Sequence, residues 1–203
     1  MKKFISAMLL TLLLGMNFSF AAELDYGSFG ALEKEEYTLE EMLNYAIEDE
    51  YLAKAEYESI IEEYGEIRPF TNIMKAEETH IEILKPLFEK YNIQIPNEDT
   101  SDYIIEVSSL EETFKVGVEA EINNIAMYEK FLQMDLEDDV RDVFVRLMEA
   151  SKNHLEAFEK NAQRIESGNL DSSRQNRKSN TDNSTQRGKS NTRNDKQNTR
   201  KRR

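Results

Sequence analysis

The 203-residue chain has no cysteine and no tryptophan, only seven glycines and three prolines, and just two histidines. Without cysteine there are no disulfides, no thiolate zinc or iron–sulfur sites and no thiol catalysis. So few glycines and prolines disfavour a turn-rich all-β fold. What the chain has in excess is negative charge, −14 overall, and it is unevenly spread. Residues 1–22 carry two lysines and no acid, and residues 169–203 carry 11 Lys/Arg against 3 Asp/Glu. The stretch 23–168 between them holds 37 Asp/Glu against 13 Lys/Arg. Its length suits one domain with a single sizeable core, and its charge makes it a poor partner for nucleic acid.

The two basic ends read differently from the body. Lys2 and Lys3 followed by the apolar run Phe4 to Phe20, with Ser19, Ala21 and Ala22 behind it, form a signal-peptide pattern over 1–22. The mature protein is then expected to be exported to the periplasm, cell envelope or exterior. Residues 169–203 are rich in Asn, Ser, Thr, Gln, Arg and Lys and almost devoid of apolar side chains. Such a composition cannot offset chain entropy, so a disordered C-terminal tail is expected. Its charge suits anionic envelope polymers, lipid head groups or the acidic body itself, and a purely solubilising role is the plainer alternative.

Residues 23–37 read as a linker and 38–168 as an all-α unit of four helices. The first starts at Thr38, with Glu41 completing a capping box, and ends near Gly65. The second runs from about Pro69 to Asn92, with Pro86 expected to kink it. The third starts at Ser109, with Glu112 completing another capping box, and runs to about Asp135; the fourth runs from about Asp138 to Gly168. Apolar residues recur at steps of three and four in each, the pattern of a four-helix bundle. The long connection from Ile93 to Ser108, at roughly 3.3 Å per residue, can run the length of a helix and join two antiparallel hairpins. The hairpins also resemble each other. EYLAKAEYE at 50–58 matches EINNIAMYE at 121–129, and MKAEETHIE at 74–82 matches MEASKNHLE at 148–156.

Five polar residues interrupt the apolar stripes: Glu50, Glu77, His80, Glu121 and His154, which include both histidines of the chain. Burying an unpaired carboxylate costs several kcal/mol, and three would consume most of a typical stability of about 5–15 kcal/mol. No lysine or arginine occupies the stripes, so a bound cation is the simplest way to neutralise them. Glu77 and His80 stand at i and i+3, a spacing that lets both reach one metal pair. Oxygen and nitrogen donors without sulfur favour iron or manganese, with zinc as an alternative.

The order of these motifs, Glu50-x-x-Ala53-x-x-x-Tyr57, Glu77-x-x-His80, Glu121 with Met127-Tyr128, and Ser151-Lys-Asn-His154, resembles the ferritin-like superfamily, its rubrerythrin branch in particular. It looks closest to the member family called domain of unknown function 2202. The resemblance covers about residues 38–165. It implies a ferritin-like bundle in which Glu50 and Glu121 are single carboxylate ligands, Glu77 and His80 a ligand pair, and His154 the histidine of a second pair. Ser151 departs from the pattern by standing where that second pair has its glutamate, which leaves Ser151 as a candidate weak ligand or hydrogen-bonding neighbour of one, and the second ion weakly bound, completed by water, or absent. Tyr57 and Tyr128, two turns beyond the glutamates, are candidates for hydrogen bonds to the ligands or, for Tyr128, weak ligation; core packing is the alternative for both.

The function this implies is a carboxylate-bridged di-iron site acting on dioxygen or peroxide, as a ferroxidase- or peroxidase-like oxidoreductase. With no cysteine there is no rubredoxin-type centre, so electrons must come from an outside donor or from Fe²⁺. A non-catalytic envelope protein holding one ion, and a metal-free helical interaction domain, are the alternatives. Ferritin-like bundles often dimerise, so a homodimer is a further expectation.

Overall fold

The computed structural model describes residues 25–167. The expected signal peptide at 1–22 and basic tail at 169–203 lie outside the described residues. Those described contain five α-helices and no strand: α1 Gly27–Leu32, α2 Leu39–Tyr64, α3 Phe70–Tyr91, α4 Leu110–Phe131 and α5 Asp138–Glu166. None of the helices is long and apolar enough to cross a membrane.

Local chemistry sets the helix ends. At α2 the Thr38 hydroxyl accepts from the Glu41 amide at 3.2 Å, and the Glu41 carboxylate accepts from the Thr38 amide at 2.8 Å. Gly65 ends α2 at φ 84°, a conformation that costs glycine little. Asn92, in the left-handed region at φ 52°, ends α3, which runs continuously through Pro86. At α4 the cap differs from the expected box. Ser109 accepts from the Glu112 amide, but the Glu112 carboxylate turns back one residue further and accepts from the amide and hydroxyl of Ser108. Helix α4 also stops at Phe131, short of the expected Asp135. The Arg141 guanidinium donates to the carbonyls of Leu132 and Met134 at 2.9 and 3.0 Å, satisfying groups that a longer helix would have paired internally.

The expected linker at 23–37 is more than a connection, because it contains α1. The Ser28 amide donates to Asp49 at 2.7 Å, the Tyr45 hydroxyl to Asp25 at 2.6 Å and the Tyr37 hydroxyl to the Ala31 carbonyl at 2.6 Å. This six-residue helix is held by tertiary contacts with α2 and α4 rather than by its own propensity.

Helix α2 packs chiefly on α3 and α4 on α5, with α2–α4 and α3–α5 contacts joining the pairs. Two apolar clusters result. One gathers Leu43, Ile47, Leu84, Phe88, Tyr128 and Phe144 around the N-terminal half of α2. The other gathers Tyr57, Ile60, Phe70, Phe114 and Phe158 around its C-terminal half. All four long helices cross from one cluster to the other, and the buried polar residues fall at the crossing.

Candidate metal centre

Glu50 of α2, Glu77 and His80 of α3, Glu121 of α4 and His154 of α5 are all at most 9 % exposed, and they meet. Helical periodicity is the cause: each follows apolar residues of its own stripe at three- and four-residue steps and so shares their inward face. Glu77 is the centrepiece. Its Oε2 lies 2.6 Å from His80 Nδ1, and its Oε1 lies 3.1 Å from His154 Nδ1. His80 Nδ1 also lies 3.0 Å from Glu50 Oε2, and His154 Nδ1 lies 3.4 Å from Glu121 Oε1. The imidazoles are close to parallel, with centroids 5.6 Å apart.

Two groups of donors share Glu77. Glu50, Glu77 and His80 form one, and Glu77, Glu121 and His154 the other, each with its ligand atoms within 4.8 Å of one another. The tyrosines complete a crossed pattern. Tyr128 of α4 donates to Glu50 Oε1 of α2 at 3.0 Å, and Tyr57 of α2 donates to Glu121 Oε1 of α4 at 3.1 Å. Each therefore makes a hydrogen bond and also packs in the core, Tyr57 against Phe70 and Phe158 and Tyr128 against Phe144.

Electrostatics mark a tightly coupled cluster of buried ionisable groups. Burial pushes the Glu50 and Glu121 carboxyls up, and the Glu77 charge adds to this. Burial acts to raise Glu77 as well, but the two histidines outweigh it and hold it well below the usual carboxylate range. Burial acts to lower both imidazoles, yet their carboxylate neighbours push each up to about 10. Among the described residues, no lysine or arginine forms an ion pair with any of the five. Burial likewise pushes the phenols of Tyr57 and Tyr128 up, so both remain donors.

The donor set fits metal ions on two counts. Three buried carboxylates and two imidazoles converge, an oxygen and nitrogen donor set without sulfur. In addition, His154 Nδ1 is buried and makes no hydrogen bond of acceptable alignment, although it stands between two carboxylate oxygens. A nitrogen so placed is positioned for ligation at little cost in lost hydrogen bonding.

Ser151 donates to Asn124 Oδ1 at 2.5 Å, and Asn124 Nδ2 donates to Asp49 Oδ2 at 2.5 Å. Sequence patterning overlooked Asp49 and Asn124. Asp49 adjoins Glu50, off the α2 stripe, in a chain with 40 acids; Asn124 follows Glu121 by three, and that spacing was the available signal. Burial pushes the Asp49 carboxyl up, while bonds from Asn124 and Ser28 pull it back. Beyond Tyr57 lies a cavity of about 380 Å³, also walled by Glu56, Ile60, Ile105, Val107 and Gly117. Glu56 is a further buried acid, 7 % exposed.

A family model described as "Uncharacterized protein domain (DUF2202)" matches residues 40–183. The chain belongs to this family. The DUF2202 match takes in α3, α4, α5, all of α2 after Leu39, and every candidate ligand. The uncharacterized protein MJ0754 of Methanocaldococcus jannaschii is 31 % identical over 126 residues, spanning 55 % of this chain and 68 % of that protein. The crystal structure of hypothetical protein MJ0754 from Methanococcus jannaschii is similar to this DUF2202 chain with a TM-score of 0.57. That match is 28 % identical and covers 65 % of this chain and 85 % of the other.

Proposed function

We propose that this is an exported ferritin-like protein whose buried Glu/His layer holds two metal ions and acts on dioxygen or peroxide, as a ferroxidase- or peroxidase-like oxidoreductase. Iron is the favoured metal, with manganese and zinc as alternatives. The observation that carries this reading is the shared Glu77, one oxygen toward His80 and Glu50 and the other toward His154 and Glu121. Glu50, Glu77 and His80 would hold one ion, and Glu77, Glu121 and His154 the other. The two hairpin-like pairs, α2 with α3 and α4 with α5, support the ferritin-like arrangement, and the apolar run at 1–22 supports export.

When bound, a pair of iron ions supplies redox chemistry toward dioxygen or peroxide. The chain's own residues do the rest. Glu77 spans the two halves. Tyr57 and Tyr128 fix the orientation of one carboxylate each through a buried hydrogen bond. The apolar clusters on either side exclude water and so strengthen each electrostatic contact. A cavity lies against Tyr57, the residue that donates to Glu121. With no cysteine in the chain, electrons come from an outside donor or from Fe²⁺ itself.

Metal analysis of the mature protein, followed by anaerobic Fe²⁺ loading and exposure to oxygen or peroxide, tests the proposal. Two ions per chain and oxidation well above the buffer rate are expected. Fewer than one ion per chain, or oxidation no faster than in buffer, overturns it. Ser151 in place of a fourth carboxylate favours a second reading, a non-catalytic envelope protein with one ion, which one redox-inert ion per chain would support. A metal-free interaction domain needs the five side chains to point apart or to solvent; their burial and convergence weigh against it.

A further inference from the structure

A buried polar chain runs beside the candidate centre and takes no part in either donor group. The Ser28 amide and Asn124 Nδ2 both donate to Asp49, at 2.7 and 2.5 Å, and Ser151 Oγ donates to Asn124 Oδ1 at 2.5 Å. The Leu147 carbonyl is a longer second acceptor for Ser151, at 3.1 Å. A carboxylate only accepts, so the Asn124 amide must turn its nitrogen to Asp49 and its oxygen to Ser151. All three side chains are at least nine-tenths buried.

Each member is tied to a candidate ligand. Asp49 adjoins Glu50, Asn124 stands one turn after Glu121, and Ser151 one turn before His154. The internal repeat sets Ser151 at the position that Glu77 holds in the other hairpin. Helix α1 is shaped around the same acid. Gly27 has φ 54°, and a Cβ there would lie 2.8 Å from Asp49 Oδ1, so the backbone comes closer to this carboxylate than a side chain would allow.

We propose that Asp49 is the displaced fourth carboxylate of the centre, a positioning residue that acts through Asn124 and Ser151 in place of a glutamate at position 151. The inference rests on the two-ion reading above. Two divalent cations bring four positive charges, and Glu50, Glu77 and Glu121 supply three negative ones. Asp49 supplies the fourth, and among the described residues no lysine or arginine forms an ion pair with it; its partners are the Ser28 amide and Asn124. Every donor in the chain points toward Asp49. Ser151 therefore spends its one proton on Asn124 and keeps lone pairs for a cation or a cation-bound water, and the relay polarises that oxygen further.

The test is Co²⁺ titration of the metal-free full chain, followed by calorimetry and by the visible Co²⁺ absorption. The variants are Asp49→Asn, Ser151→Ala, Ser151→Glu and the double variant Asp49→Asn/Ser151→Glu. Asp49→Asn and Ser151→Ala are each expected to weaken the second ion about 10- to 100-fold and leave the first unchanged. Returning the carboxylate in Asp49→Asn/Ser151→Glu is expected to restore the second affinity. Two ions bound with wild-type affinity by both Asp49→Asn and Ser151→Ala overturn the proposal, and so does a folded double variant without recovery. A purely structural Asp49 would lower the melting temperature and leave the ratio of the two affinities untouched. Should Asp49→Asn not fold, Ser151→Ala decides, because it cuts the relay with Asp49 in place. If wild-type protein takes up fewer than two ions, the two-ion reading fails first and this inference with it.

Discussion

The two helix pairs carry the same idea in different chemistry. In α2 and α3, Glu50, Glu77 and His80 put two carboxylates and an imidazole at the centre. In α4 and α5, Glu121 and His154 put one carboxylate and one imidazole there, and Ser151 stands where Glu77 stands in the first pair. The second pair thus completes its donor group by borrowing Glu77 Oε1. One side chain serves two halves, so the halves are unequal in dependence: the first owns the bridge and the second leans on it. The crossed tyrosines run against this asymmetry, since each helix pair lends a phenol to the other's glutamate.

Removing the shared residue should break the comparison outright. Glu77→Ala takes a donor from both groups, and uptake measured by elemental analysis should fall from two ions per chain to none retained after desalting. Glu50→Gln and Glu121→Gln should separate the halves. Each is expected to leave one ion bound, and the ion lost from Glu121→Gln should be the one already weaker in the wild-type titration. Identical weak binding of both ions in both variants would show that the halves do not act separately.

Acidity sharpens the comparison through stability. Each histidine has its pKa raised from 6.5 to about 10 in the folded ion-free chain. Stability linked to their protonation is therefore full below about pH 6.5 and is lost as pH climbs through about 10. The upward shifts of Glu50 and Glu121 act in the same sense, because ionising them in the folded state is the costly step. The melting temperature in chelator should fall from about pH 4.5, where the unfolded carboxyls ionise, to about pH 10, and bound metal should flatten that decline by replacing the protons. A chelated protein with a level profile over this window would contradict the electrostatic account.

The smallest effect should come from the tyrosines. Tyr128→Phe and Tyr57→Phe each delete one buried bond to a carboxylate, and denaturant unfolding should show a loss of about 1.5–3 kcal/mol at most. Equal losses would say that the phenols treat the two halves alike.

Much of this was legible in sequence for one reason. Glu50, Glu77, His80, Glu121 and His154 interrupt apolar stripes, and helical periodicity alone turns an interruption into an inward position. The four long helices were legible from the same stripes and from Thr38, Gly65 and Pro69. Three features were hidden. Helix α1 is six residues with two glycines, and it forms because Asp25 and Ser28 find partners on Tyr45 and Asp49, distant in sequence, and Ala31 on the nearby Tyr37. Asp49 sits off the stripe and among many acids, so only its contact with α1 and α4 marks it. The early end of α4 depends on Arg141, nine and seven residues beyond the Leu132 and Met134 carbonyls it caps.

The polar layer splits the apolar interior into two clusters that meet across it. A cooperative molecule normally transmits stability through one continuous hydrophobic body. Here the continuity between the ends passes through carboxylates and imidazoles, so whatever neutralises them is also the mortar between two smaller cores. Loss of that neutralising charge would let one end fray while the other holds, and amide exchange in the two ends would then report on the centre without a probe placed in it.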